Sequence, residues 1–286
     1  MSGQNLTATM TAPFTRVVRS STARATLRAA RKSLLTALGS IITILALWWG
    51  ALIVLQVPPF VGKTPLDVWN FMFVAPAAEE NRSFIFEMLG ETLVDSALGF
   101  CVGLGAAFLL AALFMLLKGV EQTLMPIALL LQSVPLIAIA PIIILIFGRD
   151  MVTTAVMGGI VVLFPALVTL AFGLRSASAQ MVDLITVFGG SEWTMLRKVA
   201  IPSALPALFV AIRISVPGAI TGAMIAEWLA TGRGMGYAIV AAVGSSEMSL
   251  VWSLAATITA VSIVLYNLVA IVERTVLARV GMAPSR

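Results

Sequence analysis

Long apolar stretches recur along most of this chain, and each is long enough to cross a bilayer as a helix, for which about 20 residues suffice. That feature decides the fold class. Backbone N–H and C=O groups in hydrocarbon have no water to bond, so they must be satisfied inside a helix or a closed barrel. The alternating pattern of barrel strands is missing. With 60% hydrophobic and 11% charged residues among 286, against roughly 25% charged in a soluble domain, the chain reads as an all-α membrane protein with several spans.

Hydropathy places six transmembrane helices at about 34–56, 93–117, 124–147, 151–173, 206–230 and 250–272. They form a transmembrane domain over 34–286, preceded by a basic tail, 1–33, that holds Arg16, Arg19, Arg24, Arg28, Arg31 and Lys32 and no acid. The tail lacks the short apolar core and small-residue cleavage site of a signal peptide. Lys and Arg resist translocation, so their distribution orients the bundle. With the tail inside, fourteen of the 18 Lys and Arg residues are cytoplasmic, and Lys63, Arg82, Arg149 and Arg233 are the four outside. An even number of spans then leaves the N and C termini cytoplasmic, in a multi-pass protein of the cell inner membrane. The outer segment from Val57 to about Asp95 includes VPPFVGKTPLDVW and EENRSF, too polar to span and long enough for a short helix on the surface.

The same inventory excludes several functions. There are no histidines and a single cysteine, Cys101, so a metal site, a histidine proton relay and a disulfide have no residues to build them. No nucleophile and base stand together. The net charge of +5 follows the membrane sidedness and does not gather on one face, which removes the case for nucleic acid. Gly62-Lys63-Thr64 ends like a phosphate-binding loop, but Val57 stands where the leading glycine belongs and Pro65 discourages the helix that should follow.

The longest cytoplasmic connection, 174–205, is polar, charged and proline-bounded. Met181, Leu184, Ile185 and Phe188 are spaced i, i+3, i+4 and i+7, which gives a short helix one apolar face. Gly189-Gly190 ends it, since glycine accepts the left-handed conformation that closes a helix. Ser191 caps a second helix with Glu192 in its first turn and Arg197 and Lys198 in its last, where the macrodipole favours each sign. Trp193, Leu196 and Ala200 fall on one face, and Pro202 and Pro206 are expected to stop this helix and turn the chain into the fifth span. Two small helices on a glycine elbow are either an interfacial pair resting on headgroups or a docking element for a cytoplasmic partner.

The spacing of Asp183, Gly189 and Val199-Ala200-Ile201-Pro202 resembles the EAA motif of permease subunits of binding-protein-dependent ABC importers: a Glu-Ala-Ala start, a glycine, nine residues and an Ile-x-Leu-Pro end. The runs AIRISVPGAITGAMIAEWLATGRGMGY, Ala211 to Tyr237, and PLIAIAPIIILIFG, Pro135 to Gly148, are similar to the nitrate, sulfonate and taurine branch of those permeases. Asp183 replaces the usual glutamate and Leu184-Ile185 the alanines. The resemblance implies a type I ABC importer (MetI-like) permease fold that is not itself an enzyme. It implies that Asp183, Gly189, Gly190, Ser191, Glu192, Trp193, Leu196, Arg197 and Pro202 couple the bundle to an ATPase. The implied partners are a second permease copy in a homodimer, two cytoplasmic ABC ATPase subunits that carry ATP and Mg, an external or periplasmic solute-binding protein, and membrane lipid. The solute it suggests is a small anion such as a sulfonate, taurine or nitrate, with a thiamine precursor or other heterocycle as the alternative.

Polar residues within the spans are candidates for the pathway. Gln132 and Ser133 lie among Pro126, Pro135 and Pro141, which favour a bent helix; they line a pathway or bond a neighbouring helix. Ser215 and Thr221 lie in the fifth span beside small residues suited to close helix approach. Arg213 is expected to snorkel to the cytoplasm. Glu227, near the outer end, either pairs with Arg233 or Arg149 or guards the outer mouth. The competing class, an ion-gradient-driven secondary transporter or channel, tends to carry inverted repeats and ionisable residues at the midplane, and neither is visible here.

Overall fold

Helix is the only regular structure among the described residues, 39–281 of the computed structural model. The basic tail 1–33 and the start of the first expected span lie outside the described residues. The chain divides into two units, Met1–Pro65 and Leu66–Arg286.

In the first unit, the described part of helix α1 (Gly39–Val54) is apolar. The chain then folds back on its end: a Cβ at Gly62 would come within 2.8 Å of both Leu52 and Val57. Lys63 Nζ donates to the Pro59 carbonyl at 2.8 Å, so the Gly-Lys-Thr triplet is a local turn.

Helix α2 (Pro65–Phe73) starts at the boundary, and the second unit continues with α3 (Ala78–Leu116), α4 (Lys118–Leu131), α5 (Leu136–Phe147), α6 (Met151–Arg175), α7 (Ala179–Val187), α8 (Glu192–Met195), α9 (Ile201–Ser203), α10 (Leu205–Ala226), α11 (Gly234–Gly244) and α12 (Met248–Val280). Helices α3, α6, α10 with its π-helical extension to Thr231, and α12 are long and apolar enough to span, and the bent pair α4 and α5 makes a fifth candidate. The structure therefore gives four or five candidate spans among the described residues where hydropathy alone gives six.

Three expected boundaries change. Span three is not continuous: α4 and α5 meet at 106° across the break at 132–135, where Pro135 has an extended backbone, φ −61° and ψ 122°. Proline removes an amide donor and disfavours helix in the residue before it, which breaks the helix at Val134. The second span begins far earlier than expected, because Glu79, Glu80 and Arg82 belong to the first turns of α3 itself instead of to a separate surface helix. The last helix continues to Val280, one turn past Glu273 and Arg274 and more.

The centre of the unit is α3 packed on α6, with α10 against both. Ile85, Leu89, Thr92, Ser96, Gly99, Gly103, Ala107, Ala111 and Phe114 form one buried stripe down α3 at three- and four-residue spacing. In its middle the residues have shrunk to glycine because backbones touch. A Cβ at Gly103 would lie 2.5 Å from the Gly159 carbonyl oxygen, and one at Gly99 would lie 2.8 Å from Gly158 Cα. Gly158 in turn meets Gly222 of α10, where a Cβ would stand 2.7 Å from the Gly158 Cα. Lipid supplies no hydrophobic drive to bring helices together, so close backbone approach through small residues supplies the packing. Towards the α7 end the stripe widens into larger side chains, with Phe114, Leu167, Leu170, Leu174 and Leu196 in one cluster.

Candidate functional site

The connection 176–204 leaves the C-terminal end of α6 and re-enters at the start of α10, so it caps one end of the bundle. Ser178 Oγ accepts from the Met181 amide at 3.4 Å and caps α7. At the other end of α7, Gly189 has φ +73°. Its amide donates to the Thr186 carbonyl at 3.0 Å and the Gly190 amide to the Ile185 carbonyl at 2.8 Å, the paired bonds of a Schellman motif. Gly190 is constrained separately, since a Cβ there would fall 2.5 Å from Ile185 Cγ2. Ser191 Oγ then accepts from the Thr194 amide at 3.3 Å and starts α8. Sequence alone places the Ser191 cap and the elbow correctly; the Ser178 cap comes from the structure.

The second half of the loop differs from expectation. After α8 the chain widens into a π-helical turn, Leu196–Ala200, before α9. Helical backbone runs without a break from Glu192 to Ser203, so Pro202 stands one residue before that helix ends, as expected, whereas Pro206 stands in the first turn of α10, where its missing N–H costs nothing. The face expected to hold Trp193, Leu196 and Ala200 divides. Leu196 and Ala200 are 1% and 0% exposed and join the core cluster, while Trp193 is 61% exposed. Leu196 is therefore a root of the loop and does not offer its side chain to a partner. What the loop presents outward is Met181, Leu184, Val187, Phe188 and Trp193, with Val187 83% and Phe188 81% exposed. Asp183, Glu192, Arg197 and Lys198 surround them, also exposed.

Two ion pairs strengthen this end of the bundle. Arg175, at the end of α6, pairs with Glu121 of α4. Arg213 of α10 pairs with the fully buried Glu273 of α12 and lies 5.6 Å from the centre of the Tyr266 ring. Arg213 is thus an interhelix tie and not a snorkelling residue. Removing one partner of such a pair leaves an uncompensated charge, at about 3–5 kcal/mol. Arg213→Ala is expected to lower the thermal stability of the purified protein well below that of Arg213→Ala/Glu273→Ala, a comparison that a melting series in detergent reads directly.

The opposite end carries a network that sequence reasoning missed. Glu227, 0% exposed, pairs with neither Arg233 nor Arg149. Its Oε2 accepts from Thr92 Oγ1 at 3.0 Å and from the Gly236 amide at 2.8 Å. Thr92 Oγ1 accepts in turn from the Met235 amide at 2.8 Å, and Glu91 Oε2 from the Gly234 amide at 2.8 Å. Arg233 reaches Asp95 at 3.6 Å. The α10 chain makes this possible by closing in a π-helical turn, Glu227–Thr231, ended by Gly232 at φ +69°. Gly234, at φ +77°, passes so close to the Glu227 carboxyl that a Cβ would stand 2.4 Å from its carbon. The alternating glycines of Thr231-Gly232-Arg233-Gly234-Met235-Gly236 were the visible signal; Glu91, Thr92 and Asp95 lie more than 130 residues away, where no local pattern reveals them.

The expected pathway residues separate. Gln132 and Ser133 are exposed at the α4–α5 break, with Ser133 Oγ donating to the Leu130 carbonyl at 2.7 Å. Thr221 is exposed on α10 with its hydroxyl bonded to the Pro217 carbonyl at 2.9 Å. Ser215 is 2% exposed and Glu227 is enclosed, so both side chains are turned into the packed interior of the single chain. Among the described residues no cluster of metal-ligating side chains is present.

Comparison with known proteins agrees with this architecture. The chain is 30% identical over 220 residues to the probable ABC transporter permease protein of Haemophilus influenzae, covering 75% of this chain and 88% of that one. It is 28% identical to the formylaminopyrimidine transport permease protein ThiX of Halalkalibacterium halodurans, over 63% of this chain and 70% of that one. To the putative aliphatic sulfonates transport permease protein SsuC of Bacillus subtilis it is 30% identical, over 59% and 61%. Residues 83–278 match one family throughout, a stretch that takes in both the exposed loop and the buried network. The chain belongs to the binding-protein-dependent transport system inner membrane component family, and is a multi-pass, non-enzymatic ABC permease subunit.

Proposed function

We propose that two copies of this chain form the translocation pathway of a type I importer in the inner membrane, each with six spans and both termini in the cytoplasm. The connection 174–205 of each copy seats on one of two ABC ATPase subunits, and ATP with Mg is bound and hydrolysed there. A solute-binding protein delivers a small solute to the opposite face. The observation that carries this reading is the tip of the loop: Val187, Phe188 and Trp193 project apolar surface beyond a rigid glycine elbow. Clustered exposed aromatic and aliphatic side chains are typical anchors of a helix-in-groove contact. The charge distribution supports the orientation, since Lys118, Arg175, Arg197, Lys198, Arg274 and Arg279 stand at the loop end.

Closure of the ATPase dimer moves the two loops together. Because Leu196 and Ala200 root the loop in the α3–α6–α10 core, that movement passes to the bundle as a rigid-body rotation. The relatives carry solutes of different chemistry in their names, so the branch resemblance to sulfonate permeases does not select the solute. The test is co-purification. Phe188→Asp is expected to leave membrane insertion unchanged and to reduce recovery of the ATPase subunit at least tenfold, whereas equal recovery contradicts the docking role.

A further inference from the structure

At the end of the unit opposite the loop, a cleft of about 510 Å³ opens between the first turns of α3 and the α11–α12 corner. That volume suits a drug-sized molecule or smaller. Phe84 and Tyr237 line it with rings 39% and 45% exposed, and Met88 adds apolar wall. Its ionisable members are Glu91, Glu247 and Arg233. Arg233 is answered by Asp95, whereas neither Glu91 nor Glu247 has an ion-pair partner. One oxygen of Glu91 accepts the Gly234 amide. The cleft thus combines two aromatic faces with an excess of negative charge. Arg175 and Arg213 are meanwhile paired with Glu121 and Glu273, so neither of these two is left to attract an entering anion.

We propose that this cleft is a solute subsite for a small organic molecule bearing a cationic nitrogen, an alkylammonium or a protonated heterocycle, seated between Phe84 and Tyr237 with its charge towards Glu91 and Glu247. Aromatic faces attract such cations through the ring quadrupole, and the carboxylates add Coulomb attraction of the same sense. The same groups repel a sulfonate or nitrate. This inference rests on the permease reading and turns its open solute class from anions towards nitrogen cations and zwitterions.

The experiment uses the full permease with its ATPase subunit in lipid nanodiscs, and two probes that share a ring and differ in charge, benzyltrimethylammonium and benzenesulfonate. Saturation-transfer NMR titrations give both affinities, and ATPase recovery is measured on the same sample. Benzyltrimethylammonium is expected to bind at least tenfold more tightly than benzenesulfonate. Glu247→Gln and Tyr237→Ala are each expected to weaken it roughly threefold or more, while Asp150→Asn, at the α5–α6 turn outside the cleft, leaves it unchanged. Equal or tighter benzenesulfonate binding, no binding of either probe at millimolar concentration, or indifference to both cleft substitutions overturns the subsite. If the ATPase still co-purifies in those cases, the permease reading survives; loss of the ATPase from wild-type protein counts against that reading instead.

Discussion

Gly236→Val is expected to unfold the end of the bundle opposite the loop and lower the melting temperature by roughly 10 °C. A Cβ at this position would stand 2.1 Å from the Met224 carbonyl oxygen and 2.7 Å from the Met224 Cα. These are backbone atoms of α10 and cannot swing aside as a side chain can. Relief requires moving α11, which withdraws the Gly236 amide from Glu227 Oε2. A fully buried carboxyl then loses a donor while its other oxygen already lacks a partner. Overpacking and an unsatisfied buried polar group each cost about 1–3 kcal/mol, so a loss of about 3 kcal/mol or more follows. The control is Gly244→Ala, with nothing within 4 Å of the new Cβ, which should melt with the wild type.

Gly189→Val should produce the opposite separation, an intact bundle that no longer transports. Valine is β-branched and strongly disfavoured at φ +73°. The Schellman bonds of Gly189 and Gly190 to Thr186 and Ile185 cannot survive a return of this residue to ordinary backbone angles, and α7 re-aims relative to α8. No residue of α7 is buried, so the bundle core is not disturbed. Uptake driven by ATP in proteoliposomes is expected to fall more than tenfold, with insertion and melting temperature close to wild type. Normal uptake would show that the elbow's shape does not matter for coupling.

The two sites were unequally legible in the sequence, for a physical reason. The loop is built from local rules: an apolar face at helical spacing, a pair of glycines and the Ser191 cap all act within a few residues, and each stands where expected. Leu196 shares a buried face with Ala200, as helical spacing says, but spacing cannot tell a face that docks on a partner from one that packs into the chain's own core, and Leu196 does the latter while Trp193 is exposed. The Glu227 network joins α3 to α10 and α11 across more than 130 residues, so its partners appear only once the helices are packed. Hydropathy found every long span, and the prolines of the third apolar run signalled a bend, but neither showed that the run breaks at Pro135 and turns by 106°. Hydropathy reads composition along a line, whereas a proline break changes direction without changing composition.

The account as a whole depends on the loop tip meeting the ATPase. The direct measurement is photo-cross-linking from a benzoylphenylalanine placed at Phe188, the side chain that projects 81% exposed from the elbow, in cells that express the intact transporter. The predicted result is a single adduct with the ATP-binding subunit, diminished when Gly189→Val is introduced. Adducts with lipid or with an extracytoplasmic protein alone, while the ATP-binding subunit remains in the complex, would contradict it.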